Sequence, residues 1–142
     1  MADPRQATTR KGIRPTVETF PIDASTITFD ATKARGSAQV DLAVKISANN
    51  QIALADTNDP ILGQLLLVEP DGMAAVQTGG YVNLPGGQSA TLTPGSKIVG
   101  AQGAASAKGY IKTADPAQLA QVAAGRGMIT DASVTTAVEV ML

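Results

Sequence analysis

From Gly79 to Gly127 the chain reads GGYVNLPGGQSATLTPGSKIVGAQGAASAKGYIKTADPAQLAQVAAGRG. Glycine or proline interrupts it too often for any long helix before Pro116. Three short apolar runs stand between the breaks: Tyr81–Leu84, Lys97–Val99 and Gly109–Ile111. Runs of this length, separated by Gly, Pro, Ser and Thr clusters, read as strands joined by turns. One helix follows. Asp115 can cap it, Pro116 fits its first turn and Gly125 stands just past its end. The expectation is a β-rich unit with a short helix at about 115–124. Its apolar Leu119, Val122 and Ala123 should pack shallowly over an open barrel end.

The rest of the chain extends this pattern. Residues 1–15 are polar and basic, without periodicity, and read as an extended N-terminal arm, either a disordered tail or a segment that orders on an acidic partner surface. Residues 16–142 read as a single β-rich domain. Thr16–Phe29 alternates in part but is interrupted by Pro21, which suggests two short strands or one broken edge strand. Ala38–Ile46 carries the clearest period of two, with Val40, Leu42, Val44 and Ile46 on one face. Asn49-Asn50 is a turn, and Gln51–Leu54 is its hairpin partner. Ile61–Glu69 reads as a buried strand, closed by the turn Pro70-Asp71-Gly72, with Met73–Gln77 returning antiparallel. Lys97–Val99 and Lys108–Ile111 form a further hairpin around the loop 100–107. Ser133–Leu142 finishes the chain as β, with Val134, Thr136, Val138 and Val140 on one face. Nine or more short strands indicate a small antiparallel β-barrel or sandwich.

Composition narrows the chemistry. The chain of 142 residues has no His, Cys or Trp, and only two Tyr and two Phe. That excludes a Ser-His-Asp triad, a His metal site, a thiol nucleophile and a disulfide framework. Few aromatics also argue against a sugar-binding or base-stacking surface. Ser96-Lys97 and Ser106-x-Lys108 lack Ser-x-x-Lys spacing. Asp56 and Asp59 lie in a polar loop that is not an EF-hand, so turn chemistry is the better account than a metal. The loop 100–109 holds glycines near Lys108 but does not match Gly-x4-Gly-Lys-Ser/Thr. Gly125-Arg126-Gly127 reads as a helix C-cap followed by a solvated arginine. No catalytic, cofactor-binding or metal-ligating residue is expected, and the protein is expected not to be an enzyme.

Net charge is −1. Within residues 1–16, however, Arg5, Arg10, Lys11 and Arg14 stand against Asp3 alone. Four cations without interleaved aromatics suit an acidic protein surface better than nucleic acid. Met1–Gly12 has no apolar core of a secretory signal, and Ile61–Val68 is too short to span a bilayer. A soluble protein without membrane, nucleic-acid or small-molecule partners is expected.

Residues 60–142 resemble the capsid cement, or head decoration, proteins of tailed bacteriophages. The resemblance rests on Gly79-Gly-Tyr-Val-Asn-Leu-Pro85, the punctuated hairpin to Lys97-Ile-Val-Gly, the Ala-rich Ala117–Ala124, and the closing Val138-Glu-Val-Met-Leu142. It covers a little over half the chain and leaves out residues 1–59. It implies a non-enzymatic virion protein on the outer capsid surface. Such proteins bind the major capsid protein, often as homotrimers at threefold positions, and clamp neighbouring capsomers. Arg5, Arg10, Lys11 and Arg14 are the expected capsid contacts on charge alone. The competing expectations are a tail- or fibre-associated β-domain and a bacterial β-adhesin module. A trimeric nucleotide phosphatase of β-barrel type would need a phosphate loop that the sequence lacks.

Overall fold

The computed structural model describes residues 15–142. The chain is mainly β, with 41% of residues in strands and 7% helical. Five strands form the first sheet: β1 (Thr16–Pro21), β2 (Ala43–Ala48), β3 (Gln51–Leu54), β4 (Gly63–Val68) and β5 (Met73–Gly79). Their spatial order is β1-β5-β4-β2-β3. A second sheet has the order β6 (Tyr81–Leu84), β10 (Val138–Met141), β9 (Met128–Asp131). The hairpin of β7 (Ile98–Ala101) and β8 (Tyr110–Thr113) is the third. All named strand pairs are antiparallel.

The first sheet curls on itself. Its two outer strands approach where Ile22 bridges Ile52, and Asp23 N–H donates to Ile52 O at 2.8 Å. That single bridge leaves the barrel unclosed. Inside the curl lie Ile27, Val44, Ile52, Leu54, Leu65, Val68, Ala74 and Val76. A second core gathers Val82, Leu84, Ile98, Ile111, Ile129, Val138 and Val140 with Ala43, Ala55 and Ile61. Strand β2 serves both cores, because neighbouring residues of a strand point to opposite faces. Ala43 belongs to one core and Val44 to the other.

Several sequence expectations hold. The hairpin of β2 and β3, the β4–β5 meander and the β7–β8 hairpin all form as read. Strand β1 is an edge strand that ends at Pro21, where a missing N–H is tolerated. Four expectations fail.

The strand read over Ala38–Ile46 begins only at Ala43. Asp41 adopts φ 70, which takes the backbone out of the ladder, and its carboxylate receives a fork from Arg35, with one bond at 3.0 Å. The far end of the same strand leaves the core, so Ile46 is 50% exposed. Alternation marks a face but not how much of it is covered. Glycine makes the adjoining corner. Gly36 has φ +77, and a Cβ there would lie 1.9 Å from Val68 O.

The last strand is likewise shorter than read. It starts at Val138, because Ala137 N–H turns back to Val134 O at 3.1 Å. Val134 is 55% exposed rather than in the sheet face.

The helix α1 spans Leu119–Ala124, not 115–124. Asp115 caps a separate turn instead, accepting Ala117 N–H at 2.9 Å on its carboxylate and Gln118 N–H at 3.0 Å on its carbonyl. Gln121 Oε1 folds back to accept Asp115 N–H at 2.9 Å. None of the helix is buried, and Leu119 is 84% exposed. The apolar side expected over a barrel end faces solvent. Leu119→Ser should therefore change stability by less than about 0.5 kcal/mol, read from urea unfolding.

Arg126 is also not the solvated arginine expected. Its guanidinium donates to the carbonyls of Leu62 and Thr78, and to Ile61 O at 3.4 Å. Its own backbone pairs with Ile98, N–H to O at 3.1 Å and the reverse at 2.9 Å. Arg126→Met should cost about 2–3 kcal/mol in urea unfolding, because charge-assisted bonds are lost and half-buried carbonyls are orphaned. Arg126→Lys should recover little of it, since one ammonium cannot span both carbonyl groups.

Candidate functional site

Edge strands are where a β-protein is open to another chain. The edges in this molecule differ in how they are covered. At β9, Gly95 N–H donates to Ile129 O at 2.8 Å, and Ile129 N–H to Ser96 O at 3.0 Å. At β8, Ile111 N–H reaches Pro85 O at 3.0 Å, and Gly87 N–H reaches Ile111 O at 2.8 Å. Strand β7 is bonded to Arg126. Strand β6 is covered by side chains: the buried Gln64 donates to Asn83 O at 2.7 Å, and Gln77 to Tyr81 O at 2.9 Å. Strand β3 gives Ile52 O to Asp23.

Strand β1 is the exception. It pairs with β5 from Thr16↔Gly79 to Pro21↔Met73. Among the described residues, no backbone hydrogen bond is made on its other side over Thr16–Pro21. Ile22 N–H donates to Gly72 O at 3.0 Å, on the β5 side. Alternation along an antiparallel strand then turns the N–H and C=O of Thr19 and Val17 outward. Val17 is 50% exposed, and Glu18 is exposed without an ion pair to any described residue. The strand follows directly on the basic segment in sequence. Arg5, Arg10, Lys11 and Arg14 themselves lie outside the described residues.

A cleft of about 890 Å³ opens beside the β7–β8 hairpin, lined by Gln88, Thr91, Gln102, Lys112, Asp115 and Gln121 among others. Its polar groups largely bond within the chain. Gln102 Nε2 donates to Asp56 Oδ1 at 2.7 Å, and Thr113 Oγ1 accepts Thr93 N–H at 2.9 Å.

The other residues considered for chemistry are tied into turns. Asp59 Oδ2 accepts Lys45 Nζ at 2.6 Å and Asp56 N–H at 2.8 Å. Asp56 takes Thr57 N–H at 2.7 Å and lies 3.3 Å from Lys108 Nζ. Lys108 is thus engaged with a carboxylate. Among the described residues no group of three or more His, Cys, Asp or Glu could hold a metal ion. None of their helices is long and apolar enough to cross a membrane. The loop packs tightly on β7, since a Cβ on Gly100 would lie 2.0 Å from Asp56 O.

The Thr57 N–H, the Gln102 amide and the Lys108 ammonium hold the Asp56 carboxyl below the usual carboxylate range, against the opposing effect of burial. Lowering a carboxylate in the folded state stabilises the protein above the ordinary carboxylate pKa. The gain is lost as pH falls through the lowered value. Thermal midpoints measured from about pH 5 down to about pH 2 should fall. Asp56→Asn should show a shallower fall over that window and a lower midpoint at neutral pH.

Neither a family model, nor a curated protein, nor a solved structure matches this chain.

Proposed function

We propose that this chain is a structural virion protein that binds the outer surface of a major-capsid shell and bridges neighbouring capsid subunits. The observation that carries the reading is the outer edge of β1, which makes no backbone hydrogen bond to any described residue over Thr16–Pro21 and follows the basic N-terminal segment directly in sequence. The resemblance of residues 60–142 to capsid cement proteins supplies the partner. A capsid strand adding to β1 gains main-chain hydrogen bonds without disturbing either core. The segment bearing Arg5, Arg10, Lys11 and Arg14 then covers an acidic patch on the next subunit. Each copy ties two subunits, and many copies multiply a weak contact by avidity. On the shell, the symmetry of the copies follows that of the capsid sites, threefold where three subunits meet. The role is mechanical and needs no cofactor.

Co-sedimentation with expanded phage shells that lack this protein tests the reading. Saturable binding at a fixed ratio to the major capsid protein is the expected result. Deleting residues 1–14 should weaken it on the order of tenfold or more, with the loss growing smaller as salt rises. Thr19→Pro removes an outward N–H at an edge position and should weaken binding while leaving thermal stability near the original. Full occupancy by the truncated protein would remove the arm from the mechanism. Absence of saturable binding by the intact chain would remove the capsid reading.

A further inference from the structure

The cleft beside the β7–β8 hairpin has walls that are tied in place by the fold. Gln88 N–H donates to Gln102 O at 2.9 Å, and Thr113 N–H to Thr91 O at 2.9 Å. These backbone bonds hold the segment 88–93 against the end of β7 and against β8. A cleft of about 890 Å³ held in this way needs little ordering when a ligand enters.

One charge in the cleft is left over. Among the described residues three cations are half-buried: Lys45, Lys112 and Arg126. Lys45 Nζ lies 2.6 Å from Asp59 Oδ2, and Arg126 serves main-chain carbonyls. The Lys112 ammonium lines the cleft but has no hydrogen bond or ion pair to any described residue. A partly dehydrated ammonium without an anion is unfavourable, so its place suits an anion from outside. Other lining groups are fixed by their bonds within the chain. Thr113 Oγ1 accepts Thr93 N–H at 2.9 Å, which leaves its O–H to donate. Gln121 Oε1 accepts Asp115 N–H at 2.9 Å, which leaves Nε2 to donate. Gln102 Nε2 is spent on Asp56 Oδ1 at 2.7 Å, which leaves Oε1 to accept.

We propose that this cleft binds an extended polar peptide segment carrying one carboxylate, with that carboxylate seated on Lys112. The site stands apart from the β1 edge and from the identity of any shell partner. Length argues against a bare anion. Ala101 faces Tyr110 and Ile98 faces Thr113 across the hairpin, so at about 3.3 Å per residue the cleft runs about 10 Å from Gln102 to Thr113. Among the described residues no aromatic ring lines it, so a sugar face or a nucleobase finds no platform. The fixed amides of Gln102 and Gln121 offer an acceptor and a donor, the complement of the N–H and C=O groups of an extended chain. A single carboxylate suits the cleft better than several, because Asp115 lines it too and repels a second anion.

The probe is the blocked pentapeptide Gly-Ser-Asp-Ser-Gly, compared with the same peptide carrying Asn in place of Asp. In calorimetric titrations of the full chain the acidic peptide should bind at least about fivefold more tightly. Amide NMR shifts should move most at Thr91, Lys112, Thr113 and Gln121. Lys112→Met keeps the stem, removes the charge and should abolish the preference. Its thermal midpoint should stay near the original, since no bond within the chain is lost. Gln121→Glu can still accept Asp115 N–H but trades the donor for a negative charge, and should weaken binding of the acidic peptide. Lys33→Met makes the same change of net charge at an exposed position outside the cleft and should leave both affinities as they were. No binding of the acidic peptide, equal affinity for the two peptides, or a preference that survives Lys112→Met overturns the proposal. Acetate bound as tightly as the acidic peptide overturns the peptide class, and so does tighter binding of a galacturonate trimer. Failure of the chain to bind shells bears on none of these outcomes.

Discussion

The Arg126 guanidinium holds the seam between the curled sheet and the two smaller ones. It reaches the carbonyls of Ile61, Leu62 and Thr78, while its backbone is laced to Ile98 of β7. The carbonyls of Ile61 and Leu62 lie just before β4, and that of Thr78 lies in β5. Without a donor they would be partly dehydrated and unpaired, a cost of a few kcal/mol at most sites. Arginine suits the place because its planar fork serves several acceptors at once and keeps its charge. Gln64 and Gln77 do the same at the β6 edge, one neutral amide each. The sheets are thus joined by polar side chains reaching main-chain carbonyls as well as by apolar packing. Among the described residues, no buried side-chain nitrogen or oxygen is left without a partner.

This seam explains why the chain can keep two cores. A continuous barrel would need β1 and β3 to pair along their length. They meet instead at Ile22 and Ile52, and the first core is closed by the segment carrying Ile27. The second core lies under β6, β7, β8, β9 and β10, reached from β2 by the small Ala43. With almost no aromatic residues, both cores depend on branched aliphatic side chains packed at interior density. The same economy leaves α1 short and exposed. Six Ala-rich residues bury too little to dock, and isolated helices of that length gain little from their own hydrogen bonds.

The seam also decides which surface is available to a partner. Side chains and neighbouring backbone cover the edges of β3, β6, β7, β8 and β9. Among the described residues, none bonds to the outer side of the β1 backbone over Thr16–Pro21. A partner strand can add there without displacing any bond that supports the fold.

Much of this architecture was legible in the sequence. Turn chemistry at Asn49-Asn50 and Pro70-Asp71-Gly72 located two hairpins, and Pro21 marked β1 as an edge. These are local rules, since a positive φ or a missing N–H acts on its own residue and its neighbours. Where a strand stops depends on what lies opposite it. Ala38–Ile46 and Ser133–Leu142 therefore alternate over more residues than the sheets use. The helix signals at Asp115, Pro116 and Gly125 were real, but Asp115 spent its cap on a separate turn. Arg126 was misread because the carbonyls it serves are some 48 to 65 residues away in sequence. No local pattern marks such a partner. The basic segment was visible as charge, and only the tertiary structure showed that the outer side of β1 makes no backbone hydrogen bond among the described residues. Sequence determines which backbone each residue prefers. The packing of distant strands decides which hydrogen-bonding groups remain open to another chain.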